Sequence, residues 1–330
     1  MVPQTFAAAD AVELAVVERS GFVESRHTGS AIVLSSDGIV VEQLGDATTP
    51  ILPRSSLKPL QALGCLTAGA PLEGERLALA TASHSGTDRH VSVVRDILDA
   101  ARLGEDALGC PAAWPADHAT RDELIRDHSE PARIRMNCSG KHAAMLLACT
   151  VNGWDPSGYL APEHPVQAHI RDVIERLIGQ RAAATAVDGC GAPVYTTSLS
   201  GLAKAIHRVG TASPTSPFAL HRSAGALVRA VRGNPWAIDG PGRTDTIVIE
   251  RLGVFAKTGA EGVMVMVAPN GTTVALKILD GSGRAATAVA LRLLERHGAL
   301  ASADVADTLS KLPLTVTGGG QDVGAIRPAF

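Results

Sequence analysis

Aromatic residues are scarce in this sequence, and neither sign of charge is in marked excess. Aromatic residues make up 3% of the 330 positions, whereas alanine and glycine abound, so we expect a core of small aliphatic side chains. The 30 basic and 33 acidic residues nearly cancel, which leaves no broad basic field to hold a phosphate backbone and argues against nucleic acid as a partner. With 45% hydrophobic residues, the chain is predicted to be globular rather than disordered.

Cysteine is also infrequent, and long hydrophobic runs are missing. The five cysteines are odd in number and widely spaced, unlike the disulfide framework of a small secreted domain. Nowhere do about 18 uncharged apolar residues follow one another, and no basic segment precedes the apolar residues near the N-terminus. We therefore expect no membrane span, no export signal and a reducing, cytoplasmic location.

Segments typical of β-strands lie at both ends of the chain. Segments 12–18 and 31–44 are rich in Val and Ile, and Ser35-Ser36-Asp37-Gly38 interrupts the second with a turn signal, which predicts a hairpin. A further hairpin is predicted over 262–279, where Asn270-Gly271 suits a tight turn. Together they predict an antiparallel sheet built from both termini.

Between these hairpins the apolar residues recur at spacings of three and four, which predicts helices. The predicted helices are 87–101, 141–151, 165–178, 199–209, 217–231, 244–252 and, near the C-terminus, 284–297. The predicted fold class is therefore α/β of the α+β type, with no linker that would separate independent domains. We expect one catalytic unit over 1–330, with a sheet part at 1–53 and 253–330, a mainly helical part at 54–252, and a site in the cleft between them.

Lysine is rare among the basic residues. The six lysines are Lys58, Lys141, Lys204, Lys257, Lys277 and Lys311. Arginine stays charged in proteins, whereas a desolvated lysine can lose its proton, so a lysine retained in an arginine-rich chain indicates amine chemistry. Ser55 and Lys58 form a Ser-x-x-Lys motif at the start of a helical run, where their hydroxyl and amine are expected within hydrogen-bond reach. Such a pair could perform acyl transfer, although a serine that caps a helix explains the motif about as well.

A second lysine motif, Lys257-Thr258-Gly259, precedes the predicted C-terminal strands. A Ser-x-x-Lys that opens a helix, followed by a later Lys-Thr-Gly beside a strand, is the order found in serine β-lactamases and penicillin-binding proteins. The Ser-Asp-Asn motif of those proteins is absent. Ser83-His84-Ser85-Gly86 is the best substitute, either as a hydroxyl relay or as a polar cap for the helix that follows.

Cysteine spacing suggests a metal site. Cys138, His142 and Cys190 could bind zinc, because thiolate and imidazole are its preferred ligands. The alternative is that both cysteines are small buried thiols packed by neighbouring glycines.

At these residues the sequence resembles the asparaginase II-like family, the rhizobial-type or class 3 L-asparaginases. The matching segments are Arg54-Ser55-Ser56-Leu57-Lys58 with Gln61-Ala62-Leu63, Ala82-Ser83-His84-Ser85, Asn137-Cys138-Ser139-Gly140-Lys141-His142, Glu163-His164-Pro165, Asp188-Gly189-Cys190 and Lys257. They extend over essentially the whole chain. The resemblance implies a fold like that of serine β-lactamases and glutaminases, and a homodimer.

The resemblance also implies roles for individual residues. Ser55 matches the nucleophile and Lys58 its base, while Ser83 and Lys257 match a second Ser-Lys pair. The implied zinc ligands are Cys138, Lys141 and Cys190, which replaces His142 of the spacing argument. The implied substrate-binding residues are Arg54, His142 and Asp188, and we add Glu261 as an alternative partner for an α-ammonium group.

The hypothesis that follows is an L-asparaginase, which converts L-asparagine to L-aspartate and ammonia through an acyl-enzyme. A glutaminase or another serine amidohydrolase is one alternative, since one methylene changes binding by only about 1–3 kcal/mol. A β-lactamase or peptidase-type hydrolase uses the same Ser-Lys apparatus, but the missing Ser-Asp-Asn motif and export signal count against it. A non-catalytic, zinc-bound amino-acid sensor is the alternative from another class.

Overall fold

The computed structural model of the protein describes residues 4–330, and twelve strands make up the β structure of this part. They are β1 (Val12–Arg19), β2 (Phe22–Leu34), β3 (Val40–Leu44), β4 (Pro50–Ile51), β5 (Thr185–Val187), β6 (Pro193–Tyr195), β7 (Thr197–Ser198), β8 (Phe255–Gly259), β9 (Val263–Val267), β10 (Thr273–Ile278), β11 (Thr315–Gly318) and β12 (Gln321–Pro328). Eight of them form one antiparallel sheet in the order β11-β12-β1-β2-β10-β9-β8, with β3 paired to β2. The remaining four form the pairs β4–β7 and β5–β6.

Eleven α-helices occur in the same residues. They are α1 (Lys58–Thr67), α2 (Gly74–Ala80), α3 (Asp88–Ala101), α4 (His118–Arg126), α5 (Ser139–Val151), α6 (Pro165–Ile178), α7 (Leu199–Gly210), α8 (Ala219–Gly233), α9 (Thr244–Leu252), α10 (Ala286–Arg296) and α11 (Ser302–Leu309). None of them is long and apolar enough to cross a membrane.

Strands β2 and β10 join the two ends of the chain in one sheet. They pair antiparallel from Thr273 opposite Leu34 to Ile278 opposite Gly29. The turn before β10 contains Gly271 with a φ of 96°, a conformation that glycine adopts without steric cost. Both predicted hairpins are confirmed, and so is an antiparallel sheet built from both termini.

The centre of the main sheet is covered on both faces. Every residue of β9 and β10 is buried, although successive side chains of a strand point to opposite faces. Helices α7 and α10 both pack on these two strands. Continuous apolar runs such as Val-Met-Val-Met-Val in β9 are what a strand buried on both sides requires.

The helical part is organised around α5. All its residues from Ser139 to Cys149 are buried, so this helix is enclosed by its neighbours rather than amphipathic. Helices α1 and α3 pack against it, and α1 also contacts α6 and α8. The start of α5 therefore lies deep in the molecule, which determines the surroundings of Cys138 and Lys141.

Strand β8, at the edge of the main sheet, contacts the segment that begins the helical part. A Cβ atom on Gly259 would lie 2.6 Å from the carbonyl oxygen of Pro53 and 3.2 Å from the backbone nitrogen of Ser56. Only glycine allows this approach. It brings Lys257 of β8 to the side of the chain that carries Ser55.

The predicted α+β class is confirmed, and the strands of the main sheet lie within the two terminal ranges given for the sheet part. The division into these parts and their action as one catalytic unit stay predictions. Several elements were not predicted from the sequence: β5 to β7, β11, β12, α2, α4 and α11. The tail, where no strand was predicted, forms most of β12 and pairs with β1 from Ala15 to Arg19.

Candidate active site

A cleft of about 380 Å³ lies between β8, the start of α9 and the loops after α2 and before α5. Ser55, Ser83 and Lys257 line it, together with Asn137 and Asp245. Three of the four predicted catalytic residues thus face one cavity, and the fourth, Lys58, contacts Ser83 from behind.

Ser55 lies in a 3₁₀ helix, Arg54–Leu57, that leads directly into α1. The backbone nitrogen of Lys58 donates to the carbonyl oxygen of Ser55, so this turn is continuous with the helix. Within residues 4–330, Ser55 Oγ makes no hydrogen bond, whereas Ser56 Oγ donates to the carbonyl oxygen of Pro53 at 2.7 Å. The Ser55 hydroxyl is therefore available to a molecule in the cleft.

Lys58 is buried, and its amine contacts three acceptors. Nζ lies 2.5 Å from the carbonyl oxygen of Ala82, 2.9 Å from Ser83 Oγ and 3.4 Å from the carbonyl oxygen of Asn137. Burial lowers the pKa of Lys58, against the opposing effect of the nearby Cys138 thiolate. The neutral amine that a base requires is thus favoured.

The predicted hydrogen bond between Ser55 and Lys58 is not formed in the described residues. The lysine amine contacts instead the Ala82 carbonyl oxygen and the Ser83 hydroxyl in the loop after α2, and the Asn137 carbonyl oxygen before α5. Spacing of three along a helix brings two side chains to one face, but the strongest acceptors in the surrounding fold decide where a long side chain ends.

The loop that carries Ser83 is held from two sides. The backbone nitrogen of Ser83 donates to the carbonyl oxygen of Ile238 at 2.9 Å, and that of His84 donates to Asn137 at 3.2 Å. His84 is buried, and its Nε2 lies 3.0 Å from Ser139 Oγ. Burial lowers the pKa of His84 well below its usual value, so the ring is neutral where it packs beneath the loop.

Lys257 faces the cleft from β8 but makes no hydrogen bond to Ser83 in the described chain. Its Nζ donates to the carbonyl oxygen of Thr258 at 2.8 Å and lies 3.5 Å from Oδ2 of Asp245. Sequence reasoning missed Asp245, whose only signal was an acidic side chain in the first turn of a predicted helix.

The predicted substrate-binding residues Arg54, Asp188 and Glu261 lie together at the rim. Arg54 Nε donates to Asp188 Oδ1 at 2.8 Å, and its Nη1 lies 3.9 Å from Glu261 Oε1. Burial alone would raise the pKa of Asp188, but the hydrogen bond from Arg54 and the charge on Lys141 lower it. Arg54 and Glu261 also line a neighbouring, more apolar cavity of about 500 Å³.

Two of these rim residues have an uncommon backbone conformation. Arg54 has a φ of 52° and Glu261 a φ of 60°, in the left-handed region that non-glycine residues seldom occupy. Each costs of order 1–3 kcal/mol, which the surrounding structure must offset. Such residues often mark functional sites, and Arg54 directly precedes the serine nucleophile candidate.

His142 is buried behind the site, and its orientation is set by Tyr159. Nδ1 of His142 lies 2.5 Å from the Tyr159 hydroxyl, which itself accepts a hydrogen bond from the backbone nitrogen of Gly109 at 2.9 Å. The hydroxyl keeps its own proton after it accepts from Gly109, so it is able to donate to Nδ1 of a neutral imidazole. Burial lowers the pKa of His142 well below its usual value. Tyr159 was not predicted, although it is one of only two tyrosines in the chain.

The structure brings the implied metal ligands together. Lys141 Nζ lies 3.1 Å from Cys190 Sγ, and Cys190 also hydrogen-bonds to Cys138. That hydrogen bond outweighs burial and lowers the pKa of Cys138 well below its usual value. Burial by itself would lower the pKa of Lys141, but the two sulfur atoms raise it.

The set chosen from spacing alone is not formed. Within residues 4–330, no group of three or more His, Cys, Asp or Glu residues is arranged to hold a metal ion. His142 is instead engaged by Tyr159, which leaves two cysteines and a lysine as the donor set.

A comparison with protein families decides where the chain belongs. The family described as L-asparaginase II matches residues 15–328. The chain belongs to the L-asparaginase II family. This membership agrees with the resemblance found in the sequence.

Similarity to individual proteins is weaker than similarity to the family. No curated protein matches this chain. Among solved structures, Mglu in its native form has a TM-score of 0.46 and 13% identity, with 82% of this chain and 64% of Mglu covered. A Bacillus glutaminase in 4.3 M NaCl has a TM-score of 0.46 and 12% identity, with 83% and 92% covered. A β-lactamase from Mycobacterium bovis has a TM-score of 0.41 and 15% identity, with 82% and 94% covered. The chain thus covers less than two thirds of the length of Mglu.

Proposed function

We propose that this member of the L-asparaginase II family is an L-asparaginase, which hydrolyses L-asparagine to L-aspartate and ammonia. The observation that carries the proposal is a cleft lined by two serines. The Ser55 hydroxyl has no hydrogen-bond partner in residues 4–330, and the second serine, Ser83, is hydrogen-bonded to the buried Lys58. A neutral lysine can accept the proton that a serine loses as it attacks an amide.

In this mechanism Ser55 Oγ attacks the side-chain amide carbon of asparagine. Its proton passes through Ser83 Oγ to Lys58 Nζ, since Ser83 is the hydroxyl that this amine contacts at 2.9 Å. Backbone N–H groups beside Ser55 stabilise the oxyanion, at roughly 3 kcal/mol per donor. Lys58 then returns the proton to the departing ammonia as the C–N bond breaks. Water hydrolyses the ester and regenerates the Ser55 hydroxyl.

The rim residues would hold the amino-acid head group of the substrate. Arg54 already pairs with Asp188 at 2.8 Å, so cation and anion stand side by side. A zwitterion could bind there by placing its α-carboxylate on Arg54 and its α-ammonium on Asp188 or Glu261. His142 is fully buried and held by Tyr159, so in this proposal it supports the pocket from behind rather than forming its wall.

Zinc remains part of the proposal. Cys138, Lys141 and Cys190 offer two sulfur donors and an amine, with Lys141 Nζ 3.1 Å from Cys190 Sγ. Binding of the ion would displace the Lys141 proton, which the neighbouring sulfur atoms favour in its absence. When bound, zinc would tie the start of α5 to the loop that carries Asp188. Metal analysis should find about one zinc per chain, lost in Cys190→Ser and kept in Cys149→Ser, whose thiol is buried elsewhere in the core. Equal zinc content in all three proteins would refute the ligand set.

The assembly and location stay proposals as well. We propose a homodimer, which light scattering would report as twice the chain mass of 34.0 kDa. A cytoplasmic location is favoured by five cysteines that all carry free thiols in the described chain. A periplasmic or secreted form recovered from cells would contradict it.

The decisive experiment is ammonia release by wild type, Ser55→Ala and Ser56→Ala, with L-asparagine, L-glutamine and a chromogenic β-lactam as substrates. We expect release from asparagine, a loss of about 10⁴-fold or more in Ser55→Ala, and near-normal activity in Ser56→Ala, whose hydroxyl points to Pro53. Full activity in Ser55→Ala would remove it as the nucleophile. Stoichiometric binding of asparagine without ammonia release would favour the sensor.

Ser83 is a second candidate for the nucleophile, because it is the serine that contacts Lys58. Trapping the acyl-enzyme with a slow substrate and locating it by peptide mass spectrometry distinguishes the two. A label on Ser83 would reverse the roles given above.

A further inference from the structure

Beside the catalytic cleft, a buried carboxylate faces one of its two lysines. Asp245 lies in the first turn of α9, and its Oδ2 is 3.5 Å from Lys257 Nζ. The side chains are 2% and 1% exposed, so solvent does not screen this pair. Asp245 takes no part in the mechanism proposed above.

The carboxylate of Asp245 is fixed by two further contacts. The backbone nitrogen of Thr258 donates to Oδ2 at 2.9 Å, and the Thr258 hydroxyl donates to Oδ1 at 2.5 Å. Donors of this kind favour the charged carboxylate, as does the N-terminal turn of a helix. Since Thr258 follows Lys257 in β8, the same strand holds both partners of the pair in register.

The other lysine of the site has different partners. Lys58 Nζ contacts two carbonyl oxygens and the Ser83 hydroxyl, and no carboxylate lies within ion-pair distance of it in residues 4–330. Two buried ammonium ions in one small cleft would repel each other. The anionic neighbours of the two lysines differ, because Asp245 lies beside Lys257 whereas the Cys138 sulfur lies beside Lys58.

We propose that Asp245 is a positioning residue that holds the Lys257 ammonium group in place at the cleft lined by Ser55 and Ser83. The proposal rests on the Ser-Lys mechanism given above. Asp245 makes no hydrogen bond to either serine in residues 4–330, and it acts through the charge and position of Lys257.

Other charged groups lie close to the Asp245–Lys257 pair. Asp239 lies on the loop before α9, accepts a hydrogen bond from the backbone nitrogen of Asp245 at 3.3 Å, and pairs with Arg243 at 2.7 Å. Burial and the neighbouring Asp245 raise the pKa of Asp239. From the helical side, the charged group that faces Lys257 is Lys58.

The test is an NMR titration of the whole protein with ¹³C-labelled lysine, in which only six side chains contribute signals. The Lys257 signal is assigned by its loss in Lys257→Met. In Asp245→Asn we expect Lys257 to lose its proton about 1–3 pH units lower than in wild type. Asp307→Asn, which removes an exposed partner of Arg251, should leave the titration unchanged. An unchanged titration of Lys257 in Asp245→Asn would overturn the proposal.

This readout does not depend on turnover, so it is separable from the proposed function. If asparagine is not hydrolysed but the Lys257 titration shifts, the reaction assigned above fails and the ion pair stands. Steady-state kinetics provide a second readout. We expect Asp245→Asn to lower kcat by about 10²-fold with little change in KM. We also expect the pH profile of kcat/KM to be displaced. A lower KM or kcat with an unmoved pH profile would indicate a purely structural role. Should the variant fail to fold, wild-type Lys257 found deprotonated at pH 7 would refute the proposal by itself.

Discussion

Burial of lysine is the residue-scale feature that organises this site. Lys58, Lys141, Lys257 and Lys277 are all buried, although lysine is almost never buried unless it is paired. Lys58 contacts carbonyl oxygens and a hydroxyl, Lys141 contacts sulfur, and Lys257 contacts a carboxylate. Lys277 donates to two carbonyl oxygens. A guanidinium could not serve at a position that requires loss of a proton.

Replacement of Lys58 tests the base directly. In Lys58→Met the chain keeps a long apolar stem but loses the amine that contacts Ser83, so we expect kcat for ammonia release to fall by about 10²–10⁴-fold. Lys204→Met is the matched control, because that lysine is exposed on α7. Activity within twofold of wild type in Lys58→Met would show that another group takes the proton.

At the scale of elements, the approach of β8 to the 3₁₀ helix determines the geometry of the cleft. Gly259→Ala would place a methyl group 2.6 Å from the Pro53 carbonyl oxygen, so one of the two segments must move. We expect kcat to fall by up to about 10²-fold and the free energy of unfolding to drop by about 1–3 kcal/mol. Steady-state kinetics and urea denaturation measure these effects.

Gly233→Ala provides the comparison for that variant, since nothing lies within 4 Å of the added methyl group. It should leave both kcat and the unfolding free energy nearly unchanged. If Gly259→Ala behaves in the same way as Gly233→Ala, the close approach of β8 is not what aligns Lys257 with Ser55.

Elements with a strong periodic pattern were predictable, and those without one were not. The bounds of α6 and α9 match the predicted 165–178 and 244–252 because their apolar residues repeat on one face. Helix α4 has no buried residue, and β12 buries only Ile326, so neither has an apolar period to detect. Chemistry-bearing residues were found by motif, but the acceptors of Lys58 lie 24 to 79 positions away in the chain, where local spacing carries no information.

At the scale of the whole molecule, two neutral histidines couple stability to pH. His84 and His90 stack with ring centroids 5.0 Å apart, and the Trp236 carbonyl oxygen accepts a hydrogen bond from His90. Burial lowers the pKa of His90 to about 4, from an ordinary value of 6.5. Burial also lowers the pKa of His84, and the neighbouring His90 adds to the effect. Protonation of either ring is energetically unfavourable while the protein stays folded.

The unfolded chain therefore binds more protons than the folded one between pH 6.5 and about 4. Stability from His90 is complete above this window and is lost as the pH falls through it, by up to about 1.4 kcal/mol per pH unit. We expect the urea unfolding free energy of wild type to decline from pH 7 to pH 5. In His90→Gln, which cannot be protonated, the decline should be shallower, with the buried His84 and His142 contributing to what remains. His221→Gln, altered at an exposed ring, should retain the wild-type slope. Equal slopes in wild type and His90→Gln would show that this buried stack does not limit acid stability.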